Sequence, residues 1–275
     1  MKVLVTGARG MLGTDLCAEL SRKHEVLAFD LAEADLTRPE SVDILAAQRP
    51  AAVVHAAAFA NVDGCERDPD AAYAVNALGT RHAALACQRL GVPLLYISTD
   101  FVFDGAQREP YYEWDRTNPL GHYGRSKLAG ETIVRELLPK SFIVRTSWLF
   151  GRHGRNFIST ILKKARETGQ VKVVDDQTGS PTYTADLSAA IARLIATPHY
   201  GTYHLTNSGS CTWHGLAAEA IRAAGIKAEA VPIRSDEFPT PTRRPAYSVL
   251  RNFCWERTFG QPLRPWQEAV KDYLS

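Results

Sequence analysis

The sequence lacks most of the features that would take it out of the ordinary globular classes. It has two methionines and five cysteines in 275 residues. Cys17, Cys65, Cys87, Cys211 and Cys254 are scattered, with no CxxC pair among them. Neither a disulfide framework nor a spaced zinc or redox motif is supported, and reduced thiols in a cytoplasmic protein are the expectation. No apolar run approaches the ~18 residues of a membrane-spanning helix. The first apolar run, Val3–Val5, breaks at Thr6-Gly7, too early for the apolar centre of a secretory signal. Charge of one sign is missing as well: 32 Lys and Arg stand against 30 Asp and Glu, a net +2. Charge therefore gives no reason to expect nucleic acid or a membrane surface as a partner. Repeats and low-complexity tracts are absent too.

What is present is a globular composition, 45% hydrophobic and 23% charged, in a length that suits one large domain with a smaller appendage. Short apolar runs at 2–6, 26–30, 51–58, 93–99 and 141–146 read as strands. They alternate with amphipathic stretches at 11–22, 39–48, 70–90 and 123–137 that read as helices. Strands apolar on both faces, separated by helices, predict a parallel sheet covered on both sides. With right-handed crossovers this becomes an α/β, doubly wound, Rossmann-type fold. After residue 150 the rhythm loosens. Helices are predicted at 156–168, 185–196, 213–224 and 265–274, short strands at 172–175 and 203–206, and an irregular Pro- and Arg-rich segment at 232–245. The expected division is a dinucleotide-binding unit at 1–150 and, at 151–275, mainly a smaller α/β substrate-binding lobe. Segments near 171–197 are expected to return to the first unit.

Gly7-Ala8-Arg9-Gly10-Met11-Leu12-Gly13 forms a GxxGxxG loop between the first strand and the first helix. Glycines there let backbone approach a pyrophosphate, and the helix N-terminus offers free N–H groups to the anion. Asp30 closes the second strand 17 residues after Gly13, where an acid can hold the adenosine ribose. An acid favours NADH, but Arg9 could accept a 2′-phosphate, so NADH and NADPH both stay open. Asp35 and Leu36 are candidates for the adenine pocket. Ala56, Ala57 and Ala58 have side chains small enough for a dinucleotide to pass. His55, inside an apolar strand, reads as a satisfied core residue.

Tyr123 and Lys127 make a YxxxK motif on a predicted helix, and the i, i+4 spacing puts both on one face. A lysine ammonium one turn from a phenol stabilises the phenolate, which suits the tyrosine to acid–base work. Ser98-Thr99-Asp100 ends the fourth strand, at the sheet edge where open α/β folds bind ligands. Its hydroxyls could hold a substrate carbonyl against Tyr123. Arg243 and Arg244, between Pro241 and Pro245, are a basic pair suited to a pyrophosphate, and Trp148 and the Asp175–Thr182 loop are placed between the lobes.

With these motifs in order, the chain resembles the extended short-chain dehydrogenase/reductases. GARGMLG, HAAAFANVD, AVNALGT, ISTDFVFDG, YGRSKLAGE, VRTSWLFG, DDQTGSPTY and TRRPAYSVL look like the dTDP-4-dehydrorhamnose reductases among them. The resemblance covers nearly the whole chain. It implies an NAD(P)H-dependent reductase of a 4-keto-6-deoxy sugar nucleotide in rhamnose and polysaccharide biosynthesis. Tyr123 would be the proton donor, Lys127 its partner and Thr99 a third catalytic group. Thr99, Asp100, Val62, Trp148 and Arg244 would meet the sugar nucleotide. Gly7, Gly10, Met11, Leu12, Gly13, Ala60, Tyr123 and Lys127 would join Asp30, Asp35, Leu36 and Ala56–Ala58 around the cofactor. Family members carry Tyr-Thr at Phe59-Ala60 and Tyr at Phe101, so this chain departs at three positions. Some members hold magnesium between subunits through acids. Asp15 and Asp186 match two such positions without a third, so no metal is assigned, and a homodimer is compatible with the resemblance. A dehydratase would carry Glu after STD, and Phe101 stands there instead. An epimerase of the same fold and a non-catalytic dinucleotide-binding regulatory subunit stay open as alternatives.

Overall fold

The computed structural model describes all residues 1–275. In chain order the elements are β1 (Lys2–Thr6), α1 (Met11–Ser21), β2 (Glu25–Phe29), α2 (Ser41–Ala47), β3 (Ala52–His55), α3 (Val62–Arg67), α4 (Pro69–Tyr73), α5 (Thr80–Leu90) and β4 (Leu94–Thr99). Then follow α6 (His122–Leu137), β5 (Ser141–Thr146), β6 (Leu149–Phe150), α7 (Phe157–Thr168), β7 (Gln170–Val174), β8 (Thr178–Gly179), β9 (Thr182–Tyr183) and α8 (Thr184–Leu194). The chain ends with β10 (Gly201–His204), β11 (Cys211–Thr212), α9 (Trp213–Ala223), β12 (Glu229–Ile233), α10 (Phe253–Phe259) and α11 (Trp266–Leu274).

Six strands form the main sheet in the order β2-β1-β3-β4-β5-β10, every pair parallel. One face is covered by α1 and α8, whose Leu12, Leu16, Leu20, Leu187, Ile191 and Leu194 bury with Val3, Val5 and Val54. Leu45, Ala83, Cys87 and Val134, from α2, α5 and α6, bury with Leu4, Val53 and Tyr96 on the other face. The central strands β1, β3, β4 and β5 are thus sealed on both sides, which is why they read as continuous apolar runs. A second cluster joins α7, α9 and α11 through Ile158, Leu162, Leu216, Ile221 and Val270, with Val171 and Val173 of β7. This is the core of the accessory lobe.

Three segments differ from the sequence reading. The third strand was expected over 51–58 but stops at His55. The pairing of β1 with β3 ends at Thr6 and His55, and beyond it Gly7 (φ +70°) packs so closely on Ala57 that a Cβ there would stand 2.6 Å from the Ala57 nitrogen. The helix expected over 70–90 is interrupted by a π-helical turn at Ala74–Gly79, which turns Asn76 inward, fully buried. The segment expected to be irregular from 232 begins inside β12, where Pro232 is tolerated because β12 has β7 as its one neighbour. Beyond these, α3, α10 and the two-residue strands β6, β8, β9 and β11 were not anticipated. β7 stays in the lobe with β12, while α8 packs on α1 and β10 extends the main sheet.

Candidate active site

The strand order reverses between β1 and β3, and the crevice outside their carboxyl ends is where such sheets bind nucleotides. A cavity of about 480 Å³ lies there, lined by Gly7, Gly10, Asp30, Asp35, Leu36 and Ala56–Ala58. Met11, Leu12 and Gly13 lie outside its lining. Leu12 is core, and Gly13 is required by packing, since a Cβ on it would fall 2.0 Å from the Gly7 carbonyl. Asp30 accepts hydrogen bonds from the backbone N–H groups of Arg9 (2.9 Å) and Leu31 (2.9 Å). It therefore ties the glycine loop to the end of β2 and keeps lone pairs facing the cavity. His55 is a satisfied core residue, held between the hydroxyls of Thr6 (2.7 Å) and Thr80 (3.0 Å). Burial, with the nearby Lys127 charge, lowers it to about 3.

One strand over, β4 delivers Thr99 and Asp100, and α6 delivers Tyr123 and Lys127. Lys127 is 2% exposed, its ammonium 4.1 Å above the Tyr96 ring. Burial lowers it to about 7, against the pull of Glu131 one turn further along α6. The Tyr123 phenol is raised above its ordinary value by burial. The Thr99 hydroxyl draws it partly back, and Asp100 raises it again. Tyr123 therefore holds its proton at neutral pH. Phe101 packs edge-on against the Tyr123 ring, centroids 5.5 Å apart. Asn76 fixes the front of this site: its amide exchanges hydrogen bonds with the Phe59 backbone and donates to Ser126 (3.0 Å), which bonds the Tyr123 carbonyl.

Ser98 donates instead to Glu131 (2.6 Å), so of the two STD hydroxyls Thr99 alone is left near the tyrosine. Glu131 is fully buried and also bonded by Arg135 and Arg145. Its one sequence signal was its place four residues after Lys127. Asp100 accepts from Thr99 (3.1 Å) and from Ser248 (2.6 Å), tying β4 to the late segment. Burial raises it to about 6.

A second cavity, about 1010 Å³, opens between the Asp104–Leu120 stretch and the lobe. Asn118 and Leu120, which line it, directly precede α6. Arg243 and Arg244 line it, joined by Lys164, Lys172, Trp213 and Phe238, which the sequence reading did not single out. Arg244 lies 3.5 Å from Asp63, and its Nε is buried without a partner. Trp148 does not line the cavity. It takes a left-handed backbone (φ +49°) and stacks on Trp213 at 3.6 Å. Thr99, Asp100, Tyr123, Lys127, Ala60 and Val62 line neither cavity, and the Val62 carbonyl accepts from Thr242 (3.2 Å).

Asp15 and Asp186 are each engaged by neighbours within the chain. Asp15 bonds the Thr184 hydroxyl and lies 3.4 Å from His153, while Asp186 is held by Arg264 (2.8 Å) and Asn207 (2.7 Å). No three acidic, His or Cys side chains converge on a cation position. No helix is long and apolar enough to cross a membrane.

The family described as RmlD substrate binding domain matches residues 1–275. A dTDP-4-dehydrorhamnose reductase of Streptomyces griseus is 43% identical over 278 residues, covering 98% of this chain and 91% of that protein. The crystal structure of a Clostridium acetobutylicum dTDP-4-dehydrorhamnose reductase superposes with a TM-score of 0.97 at 41% identity, covering 100% of this chain and 98% of the other. That of the Bacillus anthracis enzyme in complex with NADP gives 0.96 at 40% identity, covering 99% and 98%. Whole-length agreement in sequence, topology and motif order places the chain in the RmlD family, that of the dTDP-4-dehydrorhamnose reductases.

Proposed function

We propose that this protein reduces the 4-keto group of dTDP-4-dehydro-L-rhamnose to give dTDP-L-rhamnose, with NAD(P)H as reductant. The observation that carries the reading is the grouping of half-buried Tyr123 with buried Thr99 and Lys127 on elements linked to both cavities. Asn76 ties the head of α6 to the loop after Ala56–Ala58, and Asn118 and Leu120 lead from the second cavity into α6. Residues 1–150 would carry the dinucleotide and 151–275 mainly the sugar nucleotide. We place the reaction in the cytoplasm, where five free thiols persist.

A bound NAD(P)H would supply the hydride that reaches C4. Thr99, turning its hydroxyl proton from Asp100, would hold the C4 oxygen by a hydrogen bond, and Tyr123 passes its phenolic proton to that oxygen as the negative charge builds. Lys127 stabilises the phenolate left behind, and solvent returns the proton. Tyr123 enters the step protonated, as a general acid must. The test is stoichiometric oxidation of NAD(P)H with dTDP-4-dehydro-L-rhamnose and formation of dTDP-L-rhamnose. An epimerase would interconvert sugars with no net cofactor consumption.

Arg244 meets the substrate's pyrophosphate in this reading, giving up Asp63 for a paired phosphate contact. Arg244→Ala should raise KM for the sugar nucleotide roughly tenfold, about 1.4 kcal/mol, with dinucleotide affinity unchanged. Steady-state kinetics beside a direct titration of the dinucleotide check this. A KM that stays put removes Arg244 from the pocket.

Asp30 gives a second expectation. Asp30→Ala removes the ribose acceptor and the tie to Arg9 N–H, so NADH should bind about tenfold more weakly, the scale of a lost charged hydrogen bond. NADPH should lose less, because the same change removes a charge facing its 2′-phosphate. Fluorescence titration of both nucleotides decides it.

A further inference from the structure

Arg9 is the one basic residue lining the cavity at the ends of β1 and β3. It is not free. Its two terminal nitrogens donate to the two carboxylate oxygens of Glu33 at 2.7 and 2.5 Å, a paired fork-to-carboxylate contact. Glu33 also accepts the Asp30 backbone N–H at 2.8 Å. The pair therefore sits against the acid expected to face the adenosine ribose. A phosphate on the 2′-oxygen would need that guanidinium, since no other lining residue carries positive charge and Arg38, behind the lining, is paired with Asp35 (3.7 Å). A bare 2′-hydroxyl would need only Asp30.

We propose that Glu33 is a specificity-determining residue that competes with the 2′-phosphate of NADPH for Arg9 and so biases the site toward NADH. This rests on the reading that the dinucleotide occupies this cavity. Glu33 acts in two ways: it occupies the paired donors of Arg9, and it adds a negative charge beside Asp30. The Arg9 bond holds the Glu33 carboxyl at about 2, so the competitor stays ionised throughout the physiological range. NADPH can still bind by displacing Glu33, at a cost that NADH does not bear.

Glu33→Gln is the informative variant, because an amide oxygen can still accept from the Asp30 N–H while the charge and the strong Arg9 contact are lost. Dissociation constants for NADH and NADPH are measured by fluorescence titration on wild type, Glu33→Gln, Arg9→Ala and the double variant. Glu33→Gln should tighten NADPH about tenfold, one charge-assisted contact, and move NADH less than about twofold. In the double variant the gain should shrink to the share left by removing the charge alone, because the rest acts through Arg9. Unchanged NADPH affinity in Glu33→Gln, equal gains for both nucleotides, or a gain undiminished by Arg9→Ala each overturns the proposal. If the wild type binds neither nucleotide, the dinucleotide reading itself fails.

Discussion

Tyr123→Phe is expected to lower the turnover of 4-keto reduction by roughly 10²–10⁴-fold, the usual contribution of a positioned general acid. Phenylalanine keeps the ring against Phe101 and removes only the hydroxyl, so fold and dinucleotide affinity should hold. The loss should appear in kcat and kcat/KM together, because the proton is transferred in the transition state and not in the ground state. Some turnover should remain: hydride transfer and the Thr99 hydrogen bond survive, and water can supply the proton slowly. Single-turnover kinetics with saturating NAD(P)H is the measurement. Turnover near wild type would take Tyr123 out of the mechanism and leave Thr99 to be tested as the donor.

Lys127→Met should abolish most activity and at the same time raise the melting temperature of the unliganded protein. The lysine is 2% exposed, its ammonium faces the Tyr96 ring, and burial depresses it to about 7. An unfolded lysine titrates near ~10.4. Between those values the unfolded chain binds the extra proton, so this group's contribution to stability rises with pH from about 7 toward 10 and is lost as pH falls through 7. Methionine has similar length and carries no proton. The variant's advantage should therefore be full at pH 7 and below, on the order of 5 °C or more, and shrink toward pH 10. Activity should show the same group. In the free wild-type enzyme kcat/KM for reduction should fall above about pH 7, as the cation that stabilises the Tyr123 phenolate is lost. Thermal melts across pH and a pH–rate profile check the two halves. A lower melting temperature at pH 7 with unchanged activity would make Lys127 an ordinary packing residue.

Much of this was open to sequence reading because it is local. Gly7, Gly10 and Asp30 announce the cavity through spacing after a strand, and Tyr123 and Lys127 share a helix face by an i, i+4 count. The alternation of apolar runs with amphipathic stretches carried the main sheet, since strands sealed on both faces must be apolar throughout. What stayed hidden depends on distant pairings. Glu33 matters because it reaches Arg9 across 24 residues. Trp213 and Phe238 meet at the large cavity only when α9 and the segment after β12 fold together. The π turn that buries Asn76 has no periodic signature separate from the helices around it. Residues of that kind are set by tertiary packing, and a single sequence does not carry it.

The way α8 and β10 return to the main sheet bears on how the chain comes to be folded at all. A nascent chain that ends near residue 150 has five of the six parallel strands but no β10 beside β5. It also lacks the α8 leucines and isoleucine that cover Leu12, Leu16 and Leu20. One sheet edge and one apolar face stay open until more than fifty further residues have been synthesised. Trp255 of α10 closes the same face later still. Pairings this far apart in sequence are slow to form. Refolding should therefore be a late, all-or-none event, and fragments cut near residue 150 should aggregate rather than persist as a working nucleotide-binding half.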